Sequence, residues 1–333
     1  MRILATGSEG NLMQWVINDL IELGHDVVGV DIVEQEELED YQRRVPIGEY
    51  EFHQADLTDE QVVNDLVSGV DGIINAAASL YGVKGFHKYP ADIMSNDLVL
   101  HRNILEAAKR HDIDRVVYIS SSMVYECSEP PHKEEDFNDL ITPKTDYGLS
   151  KVVGERLSMA FEEQYGIDYT IWRPFNVFVP HEKSEIYGES HVFADFLKKI
   201  LIEQQNPMDI FGSGEQVRAF TWVGDVARGI ANYSFDDRTA NEAYNLANTD
   251  PITMKELANN IFDIGKDLGI IEGEDVLEFN TTRPPKDDVK TRIPSADKAK
   301  EHLGWEAVVP LDESLQTCVE YLPEMYDVDI DIQ

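Results

Sequence analysis

The sequence is poor in positive charge and in long apolar runs, and each scarcity excludes a class of protein. Its 333 residues include 28 Lys and Arg against 64 Asp and Glu, which gives a formal net charge of −36. Such a surface repels nucleic acids and anionic membranes. No apolar run reaches the length of a membrane span, and the N-terminus enters a strand pattern without the organisation of a signal peptide. We therefore expect a cytoplasmic protein that binds neither nucleic acid nor membrane.

Cysteine is also scarce, with two residues in the chain. Cys127 and Cys318 are isolated and lack the spacing of a metal site or a disulfide framework, so we expect both to be reduced. His181, Glu182 and His191 do not have the spacing that places ligands on one helix face, so we predict no metal site. The acidic residues are spread over the whole chain, which favours adaptation to high salt, where counterions screen self-repulsion.

What the sequence does contain is a strand, a glycine turn, a helix, a second strand and an acid, in that order. Residues 2–6 have the pattern of a buried strand, Gly7 and Gly10 lie in the turn, and the strand at 27–30 ends at Asp31. This order is typical of a dinucleotide site, because the glycines let the backbone approach a pyrophosphate at the helix N-terminus. The charge of Asp31 repels a 2′-phosphate, which favours NAD over NADP.

Further strand patterns follow at 50–57, 72–78 and 115–119, in alternation with helical patterns. This alternation predicts an α/β protein with a doubly wound parallel sheet. Asp56 and Leu57 are placed to contact adenine, although an aspartate here also suits an ordinary turn.

The small residues after the fourth strand pattern, Ala76 and Ala77, let the backbone pass close to a cofactor. Asn96 is predicted to open the next helix, either as its N-cap or as part of a cofactor loop.

Three side chains form the predicted catalytic set. Tyr147 and Lys151 are four residues apart, so on a helix they share one face. A nearby ammonium favours the phenolate form of a tyrosine, and a serine hydroxyl such as that of Ser121 can hold or relay a proton. Ser121 ends a strand pattern, where ligands of open parallel sheets bind. Taken alone, the Tyr-x-x-x-Lys spacing also fits two solvated residues on an ordinary helix.

Together these motifs resemble the extended short-chain dehydrogenase/reductases of the nucleotide-sugar epimerase/dehydratase family, over nearly the whole chain. The resemblance rests on Thr6-Gly7-x-x-Gly10, Asp31, Asp56-Leu57, Asn75-Ala76-Ala77, the serine run before Val124-Tyr125, Tyr147-x-x-x-Lys151 and Arg173-Pro174-Phe175-Asn176-Val177. It implies a Rossmann domain over residues 1–177 and a smaller mixed α/β substrate domain over 178–333. Segments near 220–245 would pack back on the first domain.

The resemblance also implies a set of ligand contacts, with NAD as cofactor and a nucleotide sugar as substrate. The implied cofactor contacts are Gly7, Gly10, Asn11, Leu12, Asp31, Asp56, Leu57, Ala76, Ala77, Asn96, Tyr147, Lys151 and Pro174. The implied substrate contacts are Ser121, Ser122, Asn176, Arg218 and Arg283.

Three of these substrate contacts have alternatives. Asn176 also suits a turn, and Arg218 also suits a surface salt bridge, although guanidinium binds a diphosphate in a two-pronged way. The segment after Arg283 matches the family only in part, because Pro285 and Lys286 depart from its pattern.

Two further positions depart from the family pattern. Met13 stands where the family has a third glycine, so we expect NAD to bind with a slightly shifted helix and more weakly. Loss of cofactor binding is the competing interpretation. Leu80 stands where a lysine is common, and Lys84 is a candidate replacement.

Ser122 and Met123 decide the predicted reaction. The dehydratases and decarboxylases that this chain resembles place a carboxylate just after the catalytic Ser or Thr, and epimerase–reductases and 3,5-epimerases commonly place a cysteine or another acid there. Neither residue here can do that work at neutral pH. We therefore expect a 4-epimerase that acts on a UDP-hexose or UDP-uronic acid by transient oxidation. Two alternative functions stay open. One is a different reaction of the same family, dehydration or reduction, and the other is a non-catalytic NAD sensor, which Met13 supports.

The resemblance implies a homodimer through the helices that start near Asn96 and Tyr147. Their apolar residues fit a dimer contact or the core equally well, namely Leu98, Ile104, Leu105, Val152, Val153 and Leu157.

Overall fold

The strands and helices are taken from a computed structural model, which describes residues 1–78, 88–139, 142–184, 191–273, 276–283 and 290–328. Its strands are β1 (Arg2–Thr6), β2 (Asp26–Asp31), β3 (Glu51–Gln54), β4 (Gly72–Asn75), β5 (Arg115–Ile119), β6 (Asp168–Pro174), β7 (Val177–Phe178), β8 (Met208–Phe211), β9 (Val217–Arg218), β10 (Thr221–Trp222), β11 (Glu242–Leu246), β12 (Ile252–Thr253), β13 (Phe279–Thr282) and β14 (Thr291–Arg292).

The helices alternate with these strands in the first half of the chain and dominate the second half. They are α1 (Asn11–Glu22), α2 (Glu60–Val67), α3 (Pro90–Arg110), α4 (Asp146–Tyr165), α5 (Val192–Leu197), α6 (Val223–Tyr233), α7 (Met254–Asp267), α8 (Asp297–Leu303) and α9 (Leu311–Tyr326). A π-helical turn, Lys198–Ile202, continues α5.

Seven parallel strands form the central sheet, in the order β3-β2-β1-β4-β5-β6-β11. The order runs outward from β1 in both directions, which confirms the predicted doubly wound parallel sheet. Helices cover both faces, so the central strands β1, β4 and β5 consist mostly of buried apolar residues, whereas the edge strand β3 is polar and mostly exposed. In β1, Ile3 and Ala5 face one hydrophobic cluster with α1 and α6, whereas Leu4 faces the opposite cluster with α2 and α3.

A second core lies in the C-terminal half. It is formed by apolar residues of α5, α7 and α9, with β8, β10 and the π-helical turn. In the described part of the chain, three small sheets accompany it, in the orders β10-β7, β12-β9-β14 and β13-β8. The segment that contains α6 and β11 joins the central sheet, since α6 packs on α1 and β11 pairs with β6.

Two element predictions were wrong in their details. The helix predicted to open at Asn96 begins at Pro90, where a proline fits because the first helical N–H needs no partner. Asn96 is therefore an interior helical residue and not an N-cap. The third strand covers only Glu51–Gln54 of the predicted 50–57.

Other predictions concern cysteine, membranes and the dimer contact. Both Cys127 and Cys318 are free. Within the described ranges, no helix combines the length and the apolar character that crossing a bilayer requires. Ile104 and Leu105 are at most 1% exposed and belong to the core, so they are not available for a dimer contact.

Candidate active site

The glycine turn between β1 and α1 forms a cradle without room for side chains. Gly7 has a φ of +68°, and its N–H donates to the carbonyl of Val30 at 2.8 Å. A Cβ on Gly7 would lie 3.2 Å from the Cα of Ala77. Glycine is therefore required here by both conformation and space, and the predicted cofactor residues Gly7, Ala76 and Ala77 are brought together.

Thr6 holds the ends of β1 and β4 side by side. Its Oγ1 accepts hydrogen bonds from the N–H groups of Ala76 at 3.1 Å and Ala77 at 3.0 Å, and donates to Oδ1 of Asn75 at 2.8 Å. The small residues after β4 are thereby fixed against the glycine turn.

The N-terminus of α1 offers backbone donors to an anion. Gly10 is the N-cap and has no side chain to occupy the first N–H groups, which belong to Asn11, Leu12 and Met13. No acidic residue lies in this first turn to compete. The geometry fits a pyrophosphate, since a helix N-terminus stabilises negative charge.

Asp31 closes the cofactor edge at the end of β2. Its carboxylate accepts hydrogen bonds from the N–H of Glu9 at 3.0 Å and of Val33 at 3.1 Å, which fixes it beside the glycine turn. Asp56 is exposed and accepts from the N–H and Oγ1 of Thr58, which matches the turn interpretation. The Leu57 side chain is buried in the core with α2 and α3, so adenine contact by either residue stays a prediction.

Met13 is 2% exposed and packs into the hydrophobic cluster shared by α1, β1 and α6. A side chain committed to the core cannot also fill the glycine cradle. The cradle therefore keeps its shape despite the missing third glycine. The effect of Met13 on NAD affinity stays a prediction.

Ser121 lies two residues after the end of β5, at the carboxyl edge of the sheet, as the sequence predicts. Its Oγ accepts a hydrogen bond from the N–H of Met123 at 3.2 Å, which caps the 3₁₀ turn Ser122–Tyr125. This bond uses an acceptor lone pair, so the hydroxyl hydrogen can be donated to another oxygen. Ser122, the first residue of the turn, is buried.

Tyr147 and Lys151 lie on the first turns of α4 and are both buried. The Lys151 Nζ donates to the carbonyl of Ile119 at 3.2 Å, and it lies 5.7 Å from the centroid of the Tyr147 ring. Burial alone would lower the pKa of Lys151. The neighbouring Tyr118, Tyr147 and Asp97 outweigh burial and raise that pKa above its ordinary value, so Lys151 stays an ammonium.

Two buried groups on adjacent elements complete the surroundings of Lys151. Asp97 of α3 accepts a hydrogen bond from Ser150 at 3.2 Å. Burial raises the pKa of Tyr118 to about 12, although Lys151 opposes this shift. Tyr118 therefore stays protonated.

A buried ion pair that the sequence reasoning missed joins the elements that carry these residues. Glu155 and Arg173 are at most 1% exposed, and the guanidinium donates to both carboxylate oxygens, at 3.0 and 2.6 Å. Oε1 of Glu155 also accepts from Oγ of Ser120 at 2.5 Å. Glu155 follows Lys151 by four residues on α4, so the helical spacing was a signal for its position.

The other three predicted substrate residues lie in three different segments of the chain. Asn176 follows Pro174 at the end of β6, has a φ of +41°, and donates from Nδ2 to the carbonyl of Ala219 at 2.9 Å. Arg218 is half-buried on β9, next to Ala219. Arg283 is exposed, just past the end of β13. Leu80, Lys84, Pro285 and Lys286 lie outside the described residues.

A glycine cradle, a helix N-terminus, an acid after β2 and a Ser/Tyr/Lys set lie together at the carboxyl edge of a parallel sheet, the edge at which dinucleotide-binding α/β proteins hold their ligand. Residues 3–247 match the NAD dependent epimerase/dehydratase family. The chain belongs to this family, which confirms the predicted family and its cofactor, NAD.

Relatives and solved structures agree with this assignment. A Methanocaldococcus jannaschii protein provisionally named UDP-glucose 4-epimerase is 31% identical over 96% of this chain and 98% of its own. The UDP-glucuronate 4-epimerase of Thermodesulfobacterium geofontis is 29% identical over 83% of this chain and 80% of its own. The crystal structure of the Thermotoga maritima UDP-glucose 4-epimerase with UDP-glucose has a TM-score of 0.81, at 27% identity, over 97% of this chain and 99% of that one.

Proposed function

We propose that this protein is an NAD-dependent nucleotide-sugar 4-epimerase, with a UDP-sugar as substrate. The observation that carries the proposal is the buried Lys151 ammonium beside Tyr147, on the helix next to Ser121. A positive charge at this range stabilises a phenolate, the form in which a tyrosine removes a proton from a sugar hydroxyl. NAD, when bound, accepts a hydride from the sugar carbon and can return it.

Each residue has one proposed role in this cycle. Tyr147 takes the proton of the C4 hydroxyl and gives it back after the sugar has turned over. Ser121 donates a hydrogen bond to the same oxygen, since its other bond uses only a lone pair. The Lys151 ammonium stabilises the negative charge of the Tyr147 phenolate. The glycine cradle, α1 and Asp31 would hold the cofactor.

The choice of epimerisation over dehydration depends on acid residues. Positions 122 and 123 are Ser and Met, which provide no acid for elimination at the neighbouring carbon. Glu126 lies near in sequence, but its Oε2 accepts from the N–H groups of Lys144 and Thr145, both at 2.9 Å. Glu134 accepts from the N–H of Asn245 at 2.7 Å. These engaged carboxylates favour the simple oxidation and return of hydride.

The test is product analysis. The protein is incubated with NAD and, separately, UDP-glucose, UDP-galactose and UDP-glucuronate, and products are read by proton NMR. A C4-inverted sugar supports the proposal. A dehydrated or decarboxylated sugar assigns another reaction of the family, and NAD binding without turnover supports the sensor. Tyr147→Phe should abolish turnover, since the phenolate is lost, while NAD affinity stays within about twofold. Surviving activity would refute the roles above.

We also propose a cytoplasmic homodimer. The free Cys127 and Cys318 fit a reducing compartment. Val99, 38% exposed on α3, and the half-buried Leu157 on α4 offer apolar surface for the contact. Light scattering after size-exclusion chromatography tests the dimer, and Val99→Glu should shift it toward monomer, because a buried unpaired charge is costly.

A further inference from the structure

Helices α3 and α4 share a buried polar seam, formed by Asp97 and His101 of α3 and by Ser150 and Ser158 of α4. Asp97 and His101 are four residues apart, so they lie on one face of α3, and they are 5% and 1% exposed. Ser150 donates from Oγ to Oδ2 of Asp97 at 3.2 Å. Nδ1 of His101 accepts from Nδ2 of Asn75 at 2.8 Å, so its Nε2 carries the hydrogen and donates to Oγ of Ser158 at 3.0 Å. The seam is therefore ordered by hydrogen bonds along both helices.

The polar seam adjoins Lys151. Ser150 immediately precedes Lys151, so the hydrogen bond to Asp97 holds the turn of α4 that carries the ammonium. Tyr118 of β5 lies between the two helices. Its ring centroid is 5.2 Å from Nζ of Lys151 and 4.3 Å from the centroid of the His101 ring. A carboxylate, an imidazole, a phenol and an ammonium therefore share one buried region behind the Ser/Tyr/Lys set.

The charges of these groups can be assigned one by one. Burial lowers the pKa of His101 to about 3, so its ring is neutral at pH 7. Burial also raises the pKa of Tyr118 to about 12, so its hydroxyl keeps its proton. Glu155, one turn after Lys151 on α4, is paired with the guanidinium on β6. Burial would lower the pKa of Lys151, and Asp97, together with the tyrosines, raises it instead. Of the described carboxylates, Asp97 is the one that acts on the Lys151 charge.

We propose that Asp97 is a positioning residue of the catalytic set, whose buried carboxylate offsets part of the Lys151 charge and so sets the pH at which Tyr147 becomes a phenolate. The proposal rests on the proposed function, in which that phenolate is the base. A base that must also return its proton works best when its proton affinity suits the operating pH. An ammonium alone stabilises the phenolate strongly, and a nearby anion weakens this effect. Asp97 thereby lets Tyr147 both take the sugar proton and give it back.

Asp97→Asn removes the charge but keeps the shape and an oxygen acceptor for Ser150. The acid limb of the pH profile of kcat, measured with NAD and the UDP-sugar that the wild type converts, should move about one unit to lower pH. Ser150→Ala removes the hydrogen bond and keeps the carboxylate, so it should leave the acid limb in place even if kcat falls. Asp92→Asn is the matched control, because Asp92 is an exposed aspartate of the same helix whose charge solvent screens.

A second readout does not depend on turnover. The ultraviolet absorbance of phenolate is titrated with pH in the NAD-bound protein, and subtraction of the Tyr147→Phe curve isolates Tyr147. The same subtraction in the Asp97→Asn background should give a midpoint about one pH unit lower. Equal midpoints, or a shift to higher pH, overturn the proposal. Asp97→Ser replaces Asp97→Asn if the latter does not fold by circular dichroism. If the wild type converts no UDP-sugar, the proposed function fails, whereas the titration still decides the role of Asp97.

Discussion

Glu155→Gln is the substitution with the largest predicted effect on stability. In the native protein, the carboxylate of Glu155 accepts two hydrogen bonds from Arg173 and one from Ser120. The side chains of Glu155 and Arg173 are each at most 1% exposed. Glutamine keeps the shape but removes the charge. Arg173, whose pKa Glu155 raises against the opposing effect of burial, is then left as an uncompensated buried cation.

Breaking a buried ion pair by removing one partner destabilises proteins by about 3–5 kcal/mol. A typical domain has an unfolding free energy of about 5–15 kcal/mol, so this loss is a large fraction of the total. Replacing both partners with apolar residues, as in Glu155→Leu with Arg173→Met, should leave the protein within about 2 kcal/mol of wild type or more stable, because no charge stays buried alone.

Urea unfolding, followed by circular dichroism at pH 7 and constant salt, measures these differences. Glu163→Gln is the control, since Glu163 is exposed on the same helix, and it should change stability by less than about 0.5 kcal/mol. A loss below about 1 kcal/mol for Glu155→Gln would refute the argument, and so would a double variant that is less stable than Glu155→Gln alone.

Two other predictions concern pH and salt. Burial lowers the pKa of His101 to about 3 in the folded protein, from 6.5 in the unfolded chain. Between pH 6.5 and pH 3 the unfolded chain therefore binds more protons than the folded protein, so the free energy of unfolding should fall as the pH is lowered through this range. Urea midpoints measured from pH 4 to 7 should show a flatter dependence in His101→Gln, and an unchanged slope would contradict the assignment. With a net charge of −36, the protein should gain stability from about 0.1 to about 2 M NaCl as repulsion is screened. A melting temperature independent of salt would count against adaptation to high salt.

Motifs encoded in consecutive residues, and the strand–helix alternation that indicates a parallel sheet, could be predicted from the sequence, whereas specific contacts between distant side chains could not. The strand, glycine turn and acid are encoded in consecutive residues, so Gly7, Gly10 and Asp31 came together as expected. The predicted start of α3 at Asn96 is wrong: asparagine is a common N-cap residue, but the helix already begins with Pro90 at its first position. No local pattern says whether Met13 faces the core or the cradle.

Residues far apart in sequence explain the remaining misses. The contact between Asp97 and Ser150 depends on how α3 packs against α4, which no spacing rule predicts. One half of the Glu155–Arg173 pair could have been predicted from the sequence. Glu155 lies four residues after Lys151, which places the two side chains on the same helix face. Its partner on β6, however, follows only from the way α4 packs on the sheet.

The late position of β11 in the chain has a consequence during synthesis. Strand β6 ends at Pro174, but the strand that covers its outer edge runs from Glu242 to Leu246. While the intervening residues are being translated, the unpaired amide and carbonyl groups of β6 face solvent on the nascent chain. Open strand edges recruit strands from other molecules. Ribosome-bound chains that end before Glu242 should therefore be the most aggregation-prone species in the life of this protein.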